Sequence, residues 1–348
     1  MSMKYKQLGN TEIKTSLICL GTMTFGEQNT ENQAHQQMDM AADYGVNFFD
    51  TAELYAIPPK AETYGLTEQY IGSWFKSRSK RDDIVLASKV AGPGAGWVDH
   101  IRNGPRLNKA HMTKALETSL KRLQTDYIDL YQIHWPERST NFFGKLGYQH
   151  SEDENVIAIE ETLSVLNDFV SSGKVRHIGI SNETPWGVMQ YLKLADKYDW
   201  PRIVSIQNPY NLLNRSFEVG LSEFALREKV GLLAYSPLGF GVLSGKYLNN
   251  EKPDKARLTL FPDYTRYSNE NGIAATGDYA KLALDIGVSP AQLALAFINQ
   301  QDFTTANIIG ATTLPQLKEN IESVELKLND ETLERIECIH SRYTIPCP

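Results

Sequence analysis

The sequence predicts an α/β fold, a (β/α)8 TIM barrel with an N-terminal hairpin and a C-terminal extra helix. Eight short apolar runs recur along the chain, and helical patterns alternate with them. The runs are nearly continuous, which is typical of strands covered on both faces of a parallel sheet. No GxGxxG motif follows the first strand, which disfavours an open dinucleotide-binding sheet. We therefore expect residues 1–348 to form a single barrel domain.

The predicted strands follow a hairpin over residues 4–15. Each is a short run rich in β-formers that is broken within a few residues. The eight runs are SLICL (16–20), NFF (47–49), DIVLAS (83–88), IDLYQI (128–133), VRHIGI (175–180), RIVSI (202–206), VGLLAY (230–235) and NIIG (307–310).

Helical patterns fill the intervals between these runs, and a polar helix is predicted at the C-terminal end. Residues suited to N-caps, to C′ positions and to the first helical turn mark several of their ends. The N-cap candidates are Asn108, Asn182 and Asn329, the C′ candidates Gly45 and Gly173, and the first-turn prolines Pro185 and Pro290. The predicted helices are 31–44, 65–78, 109–122, 157–171, 184–198, 217–228, 289–300, 314–323 and 330–342.

Composition narrows the class of protein. With 41% hydrophobic and 22% charged residues, the chain is neither disordered nor fibrous. A net charge of −7 without a long basic run argues against a nucleic-acid partner. No apolar run approaches the ~20 residues that span a bilayer, so no membrane association is expected. The start of the chain has no apolar signal region, and the three cysteines form neither a disulfide framework nor a metal site, so we expect a cytoplasmic protein.

Three connections are longer than the usual two to six residues. They are residues 90–107, 135–155 and 236 to roughly 275. All follow strands, so in a barrel they lie on the C-terminal face, where barrel enzymes keep their active sites.

Four ionisable residues fall at the C-terminal ends of neighbouring strands or just beyond them. They are Asp50, Tyr55, Lys89 and His134. A tyrosine ordinarily titrates near ~10, too high for an efficient proton donor, and a nearby ammonium lowers that pKa. Lys89 is therefore expected to make Tyr55 a usable general acid, while Asp50 holds Lys89 and His134 orients a carbonyl oxygen.

Each of these residues also has a simpler interpretation. For Asp50, or Thr51 beside it, the alternative is a helix cap. For Tyr55 it is a packing residue, and for His134 a satisfied core imidazole. For Lys89 it is an ion pair with any acidic neighbour, or a Schiff base. Four such residues at adjacent strand ends favour a shared site.

The late loop SPLGFGVLSGK suggests an anionic ligand. Its glycines Gly239, Gly241 and Gly245 allow the backbone to approach a phosphate closely, and Lys246 follows them. Residues 310–320 leave the eighth strand and enter a helix, whose free N–H groups can receive an anion. Glycine-rich loops also form plain turns, so this signal alone is weak.

The chain resembles the aldo-keto reductases over nearly its whole length. The resemblance rests on ordered segments such as LGTMTFG, FFDTAELY, ASKV, LYQIHWP, IGISN, QNPYNLLNR, LLAYSPLGFGVLSGKY and IIGATTLPQLKEN. It implies a catalytic tetrad at Asp50, Tyr55, Lys89 and His134. In that family the tyrosine gives a proton to the substrate carbonyl while NADPH delivers a hydride.

The resemblance also implies contacts with the cofactor, NADP(H). Ser181, Asn182 and Gln207 match residues that hold the carboxamide, and Tyr235 matches the aromatic residue on which the nicotinamide ring stacks. The remaining implied contacts lie near the first strand, in the late loop and in the last segment: Thr22, Asp50, Ser236, Pro237, Leu238, Gly239, Phe240, Gly241, Val242, Leu243, Ser244, Gly245, Lys246, Arg257, Gly310, Thr312, Gln316, Glu319 and Asn320.

One segment departs from the family pattern. Many members carry a Lys or Arg near positions 310–316 for the 2′-phosphate, whereas here no cation occurs before Lys318. A preference for NADPH therefore depends on Lys246, Arg257 and the hydroxyls of Thr312 and Thr313.

Three functions are compared. The leading hypothesis is NADPH-dependent reduction of a small aldehyde or ketone without a metal. The second is a nucleotide-binding regulatory subunit with weak turnover, because relatives of this fold serve as channel partners. The third is a Schiff-base lyase using Lys89.

Four aromatic residues lie in the long connections: Trp97, Phe142, Phe143 and Tyr148. They are expected either to line a substrate pocket or to pack the loops against the barrel.

Overall fold

The computed structural model describes residues 2–78, 80–152 and 155–348. An antiparallel hairpin, β1 (Tyr5–Gln7) and β2 (Lys14–Ser16), precedes a closed barrel of eight parallel strands. The barrel strands are β3 (Ile18–Gly21), β4 (Phe48–Asp50), β5 (Val85–Val90), β6 (Ile128–Ile133), β7 (Val175–Ser181), β8 (Ile203–Pro209), β9 (Gly231–Tyr235) and β10 (Thr304–Ile309). The predicted barrel, hairpin and C-terminal helix are confirmed.

Each strand pairs with its neighbours in chain order, and β10 closes the ring against β3. In this register Asp50 lies opposite Ala87, and Lys89 lies opposite Gln132. All barrel strands run the same way, so their C-terminal ends meet at one mouth of the barrel.

The helices surround the barrel and largely follow the predicted intervals. They are α1 (Glu31–Asp43), α2 (Leu66–Arg78), α3 (Lys109–Leu123), α4 (Ile159–Ser171), α5 (Pro185–Tyr198), α6 (Leu221–Arg227), α7 (Arg257–Leu260), α8 (Glu270–Asp285), α9 (Pro290–Asn299), α10 (Leu314–Glu322) and α11 (Asp330–Arg342). The predicted helix 217–228 is divided, because Ser216–Val219 forms a 3-10 turn before α6 begins at Leu221.

Helix α8 was not predicted, since the whole stretch from 236 to roughly 275 was expected to be a connection. Two glycines, Gly272 and Gly277, interrupt its sequence and lower its helical propensity. The helix forms because Asn269 caps its first turn and residues such as Tyr279 and Ala283 are buried. Residues 153 and 154 of the predicted 135–155 connection lie outside the described residues.

Most of the predicted helix ends are confirmed. Asn108 and Asn329 accept hydrogen bonds as N-caps, Gly45 and Gly173 follow the C-caps with positive φ, and Pro185 and Pro290 begin their helices. The N-cap prediction for Asn182 is wrong. Thr184 caps α5 instead, and the Asn182 backbone is left-handed with φ 54.

The barrel interior is filled with apolar side chains below the mouth. Leu8 reaches this cluster from the turn of the hairpin and is fully buried. The barrel strands contribute the remainder: Cys19, Phe48, Ala87, Leu130, Val204, Leu233, Ala306 and Ile308. A larger core lies between the strands and the helices. The mouth at the C-terminal strand ends is thus the part of the barrel where polar side chains gather.

Within the described residues, no single helix is long and apolar enough to cross a membrane. Helices α8 and α9 together meet the requirement by length and composition, but they meet at an angle of 93°.

Candidate active site

The four predicted residues meet at the mouth of the barrel. Asp50 ends β4, Lys89 lies near the end of β5, His134 follows β6, and Tyr55 lies in the loop after β4. The Lys89 ammonium donates to Asp50 Oδ2 at 2.6 Å and to the Tyr55 hydroxyl at 3.4 Å. The His134 ring stands edge-on to the Tyr55 ring, with 5.7 Å between their centroids.

The Asp50 carboxylate is held from several sides. Besides Lys89, it accepts hydrogen bonds at Oδ1 from Gln207 at 2.8 Å and from Gln132 at 3.2 Å. The alternative role as a helix cap is wrong, because the next helix begins only at Leu66. Asp50 therefore anchors the ammonium of Lys89.

Lys89 is fully buried and remains charged. Burial by itself lowers the pKa of its ammonium, but the nearby Asp50 carboxylate and the Tyr55 phenol outweigh it, so the pKa is raised. A Schiff base requires the neutral amine as nucleophile. The charged state of Lys89 therefore argues against the lyase alternative.

The expected net pKa shift of Tyr55 is wrong in direction. Burial raises the pKa of the Tyr55 phenol, and this exceeds the lowering by the Lys89 charge. The ring packs in a small apolar cluster with Leu54, Ile101 and Trp135, which explains the burial. Tyr55 therefore holds its proton firmly at neutral pH.

His134 is a neutral imidazole without a full set of partners. Burial, aided by the charge of Lys89, holds its pKa well below the ordinary value. Its Nδ1 is buried and has no hydrogen-bond partner among the described residues. The alternative of a satisfied core histidine is therefore wrong.

The predicted nicotinamide-side residues form a connected layer beside the four. Asn182 donates to the His134 carbonyl at 2.8 Å and accepts from the Tyr235 hydroxyl at 2.6 Å. The Ser181 hydroxyl donates to the Gln207 carbonyl at 2.6 Å. Across the mouth, the Thr22 hydroxyl donates to the Asp50 carbonyl at 2.8 Å.

The predicted phosphate loop is a series of tight turns after β9. Residues Gly239–Ser244 form a 3-10 segment, and Gly239, Gly241 and Gly245 have φ values of 52, 90 and 77. A Cβ at Gly241 would lie 2.9 Å from the Lys246 ammonium. The positive φ of Gly241 favours glycine at this position, and the loop brings Lys246 close to its backbone.

Two cations of this region have no carboxylate partner among the described residues. The Arg257 guanidinium lies 4.8 Å above the Phe240 ring, and its buried Nε has no hydrogen-bond partner. Lys246 lies 5.4 Å from the Tyr247 ring, and burial lowers the pKa of its ammonium. Such half-buried cations leave positive charge for an anionic ligand.

The predicted adenosine-side residues lie at the start of α10. Gln316 accepts from the backbone and the hydroxyl of Thr312, both at 3.1 Å. Asn320 donates to the Gly310 carbonyl at 3.1 Å, and Glu319 accepts from Ser289 at 2.5 Å. These hydrogen bonds fix the turn after β10, and none of them involves a cationic side chain.

Aromatic side chains cover the mouth beside His134. Trp135 lies 4.9 Å from the His134 ring, Trp97 lies 5.0 Å from Trp135, and Phe143 lies 5.8 Å from Trp135. Trp97 and Phe143 are each more than 40% exposed, at 42% and 43%. Tyr148 instead contacts His150.

Sequence reasoning missed several polar residues at this mouth. Gln132, which bonds Asp50, could have been found as the one amide in the apolar run IDLYQI. Three buried Arg–Glu pairs also join successive loops after β4, β5, β6 and β7. They are Arg102–Glu53, Arg106–Glu137 and Arg138–Glu183. No local pattern marks such pairs, because their partners are far apart in sequence.

Comparison with known proteins identifies one family model and several similar proteins. Residues 17–340 match the model of the Aldo/keto reductase family. Protein tas of Escherichia coli (strain K12) is 51% identical over 346 residues, covering 99% of this chain and 100% of that protein. An oxidoreductase of Bacillus subtilis, YrpG, is 34% identical over 97% of this chain and 96% of its own length. A probable voltage-gated potassium channel subunit beta of Arabidopsis thaliana is 30% identical over 96% of each chain.

Proposed function

Because the chain belongs to the aldo/keto reductase family of oxidoreductases, we propose that it reduces an aldehyde or ketone to an alcohol with NADPH. The observation that carries the proposal is the contact of the Tyr55 hydroxyl with a buried ammonium, that of Lys89, at 3.4 Å. Burial keeps the Tyr55 phenol protonated before the reaction, and the Lys89 charge stabilises the phenolate that forms when the proton moves to a carbonyl oxygen on which negative charge develops. Residues 1–348 act in this proposal as one domain.

Each residue of the tetrad then has a defined task. Tyr55 gives its proton to the carbonyl oxygen, and Lys89 stabilises the phenolate that remains. Asp50 keeps the ammonium of Lys89 in place at 2.6 Å. His134, being neutral, donates a hydrogen bond to the same carbonyl oxygen and orients it. NADPH, when bound, supplies the hydride that the carbonyl carbon accepts.

The side chains around the mouth fit NADPH. The uncompensated cations Lys246 and Arg257 suit its phosphate groups, and the turns at residues 236–246 give backbone access to them. In this proposal Tyr235 would contact the nicotinamide ring, and Ser181, Asn182 and Gln207 would hold its carboxamide. The residues at the start of α10 suit the adenosine end. The cytoplasmic location expected from the sequence stays a prediction.

A direct test is to mix the protein with NADPH and a panel of aldehydes and ketones. Absorbance of the reduced nicotinamide should fall with at least part of the panel. Tight NADPH binding without consumption across the whole panel would contradict the reductase proposal. That result would favour the regulatory-subunit alternative.

The rate of carbonyl reduction should fall at high pH and should not change near neutral pH. Tyrosine ordinarily titrates near ~10, and burial raises the pKa of Tyr55 further, so the proton donor stays loaded through neutral pH. The pKa of His134 is held low, so it adds no change there. We expect kcat to be flat from about pH 6 to about pH 9 and to fall only at higher pH, as Tyr55 loses its proton. Alcohol oxidation, which needs the phenolate, should rise with pH. A fall in reduction centred near neutral pH would contradict the assignment.

Replacement of Arg257 by alanine should weaken NADPH binding. A charge-assisted hydrogen bond is worth about 1.5–3 kcal/mol, which corresponds to a roughly 10- to 150-fold rise in Kd. Fluorescence titration measures this change, and NADH titrated in parallel reports the preference for the 2′-phosphate. Arg227→Ala is a suitable control, because that side chain is 76% exposed and, within the part of the chain that the structure describes, pairs only with Glu223. Equal Kd values for the two variants would exclude Arg257 from the cofactor site.

A further inference from the structure

Glu53 lies between Asp50 and Tyr55 in the chain and is fully buried. A carboxylate without exposure is costly unless it is paired and hydrogen-bonded. Nothing in the proposed proton transfer uses it, because its side chain contacts neither the Tyr55 hydroxyl nor the Lys89 ammonium. Its burial at this position therefore requires another explanation.

The Glu53 carboxylate joins three segments of the mouth. Oε1 accepts from the Ala91 backbone N–H and from Arg102, both at 2.8 Å. Oε2 accepts from the other arm of the Arg102 guanidinium and from the Tyr64 hydroxyl at 3.1 Å. Burial and the Glu53 charge raise the pKa of Tyr64 to about 12, so Tyr64 remains a donor. Every lone-pair direction of the carboxylate is thus engaged.

Two of these segments carry the reacting pair. Ala91 follows Lys89 by two residues, and the Glu53 backbone N–H also donates to the Lys89 carbonyl at 3.2 Å. Tyr64 adjoins Gly65, whose N–H donates to the Tyr55 carbonyl at 2.9 Å. Glu53 therefore binds the backbone next to Lys89 on one side. On the other side it binds Tyr64, whose neighbour Gly65 holds the Tyr55 carbonyl.

We propose that Glu53, held by Arg102, is a positioning residue that fixes the separation of the Tyr55 hydroxyl and the Lys89 ammonium. The expected effect of this positioning on kcat rests on the proposed reductase function. The bidentate guanidinium supplies a rigid partner that Lys cannot replace, since only Arg spans both oxygens. The side chain of Arg102 is 12% exposed, so the pair is weakly screened by salt.

The variant Arg102→Ala tests the inference, with Arg106→Ala as its matched control. Arg106 also pairs with a buried carboxylate, Glu137, but that pair joins the loops after β5 and β6 and does not touch the Tyr55 segment. Both variants leave a buried carboxylate without its cation, so similar losses of stability are expected. Thermal unfolding of the two variants checks that match.

The first readout needs no turnover. Tyrosines carrying a 13C label at Cζ give one NMR signal each, and the Tyr55 signal is the one missing in Tyr55→Phe. We expect Arg102→Ala to shift this signal and Arg106→Ala to leave it in place. If Arg102→Ala does not fold, Glu53→Gln serves instead, since it keeps an acceptor for Ala91 but loses the charge. An unmoved Tyr55 signal in the folded variant overturns the inference, whether or not the wild type reduces any carbonyl.

The second readout is kinetic. A misplacement of about 1 Å costs up to about 100-fold in rate, so kcat of Arg102→Ala should fall roughly 10- to 100-fold below that of Arg106→Ala. The Kd for NADPH should be the same in both, because neither residue is among those proposed to contact the cofactor. Guanidinium ion added at millimolar concentration should restore part of kcat in Arg102→Ala only. Equal kcat in the two variants would overturn the positioning role while leaving the reductase proposal intact.

Discussion

Replacing Tyr55 with phenylalanine is expected to lower kcat/KM for carbonyl reduction by about 10²- to 10⁴-fold, the usual contribution of a positioned general acid. The variant keeps the ring that packs against Trp135 and removes only the hydroxyl. Lys89 keeps its bonds to the Asp50 carboxylate and the Thr51 carbonyl at 2.6 and 2.8 Å. The free energy of unfolding should therefore change by about 1 kcal/mol or less.

A loss of rate at unchanged stability is what separates a proton donor from a packing residue. Tyr191→Phe is the matched control, because Tyr191 is also a buried tyrosine, 3% exposed, but lies on α5 and is none of the four residues assigned to the proton transfer. Its rate should equal that of the wild type. Steady-state kinetics and urea unfolding on the same preparations measure both quantities. A Tyr55→Phe variant as active as Tyr191→Phe would remove Tyr55 from the reaction.

Replacing Lys89 with methionine is expected to cost about 3–5 kcal/mol of stability, because it leaves a buried carboxylate without its cation. Asp50 is only 2% exposed, so water cannot replace the ammonium. Activity should fall together with stability, since the phenolate of Tyr55 loses its stabilising charge. Urea unfolding measures the first effect and NADPH consumption the second.

The double variant Lys89→Met with Asp50→Asn separates the two effects. It removes both charges, so most of the lost stability should return, while activity should not. Lys109→Met is the control for lysine replacement in general, because that side chain is 73% exposed and should matter by about 0.5 kcal/mol or less. If Lys89→Met unfolded at the wild-type urea concentration, the account of Asp50 and Lys89 as a buried pair would be wrong.

The fold and the positions of the four ionisable residues could be predicted because both depend on local patterns. Buried parallel strands are continuous apolar runs, and Asp50 and His134 are conspicuous where such runs stop. Parallel strands then bring their ends together without further information. Helix α8 was missed because its glycines weaken the local pattern, and its burial against the rest of the chain decides its conformation.

The chemistry around those residues could not be predicted in the same way. Gln207 bonds Asp50 across 157 positions of sequence, a contact that exists only once the barrel closes. The pKa of Tyr55 depends on how deeply the loop buries it, which no motif records, so the lowering expected from Lys89 alone had the wrong net sign. Asn182 resembled a helix cap because its residue type suits both a cap and a left-handed turn.

The hydrogen bond from Gln207 to Asp50 has a further geometric meaning. In the ring of eight strands, β4 and β8 stand four places apart and so face each other across the barrel axis. The Gln207 amide and the Asp50 carboxylate, together with Gln132, therefore form a hydrogen-bonded bridge across the barrel. Beneath it the interior is solid with Phe48, Leu130 and Leu233. The barrel interior is therefore closed to ligands. Any molecule that reaches Tyr55 must enter from the side of the loops and leave by the same route.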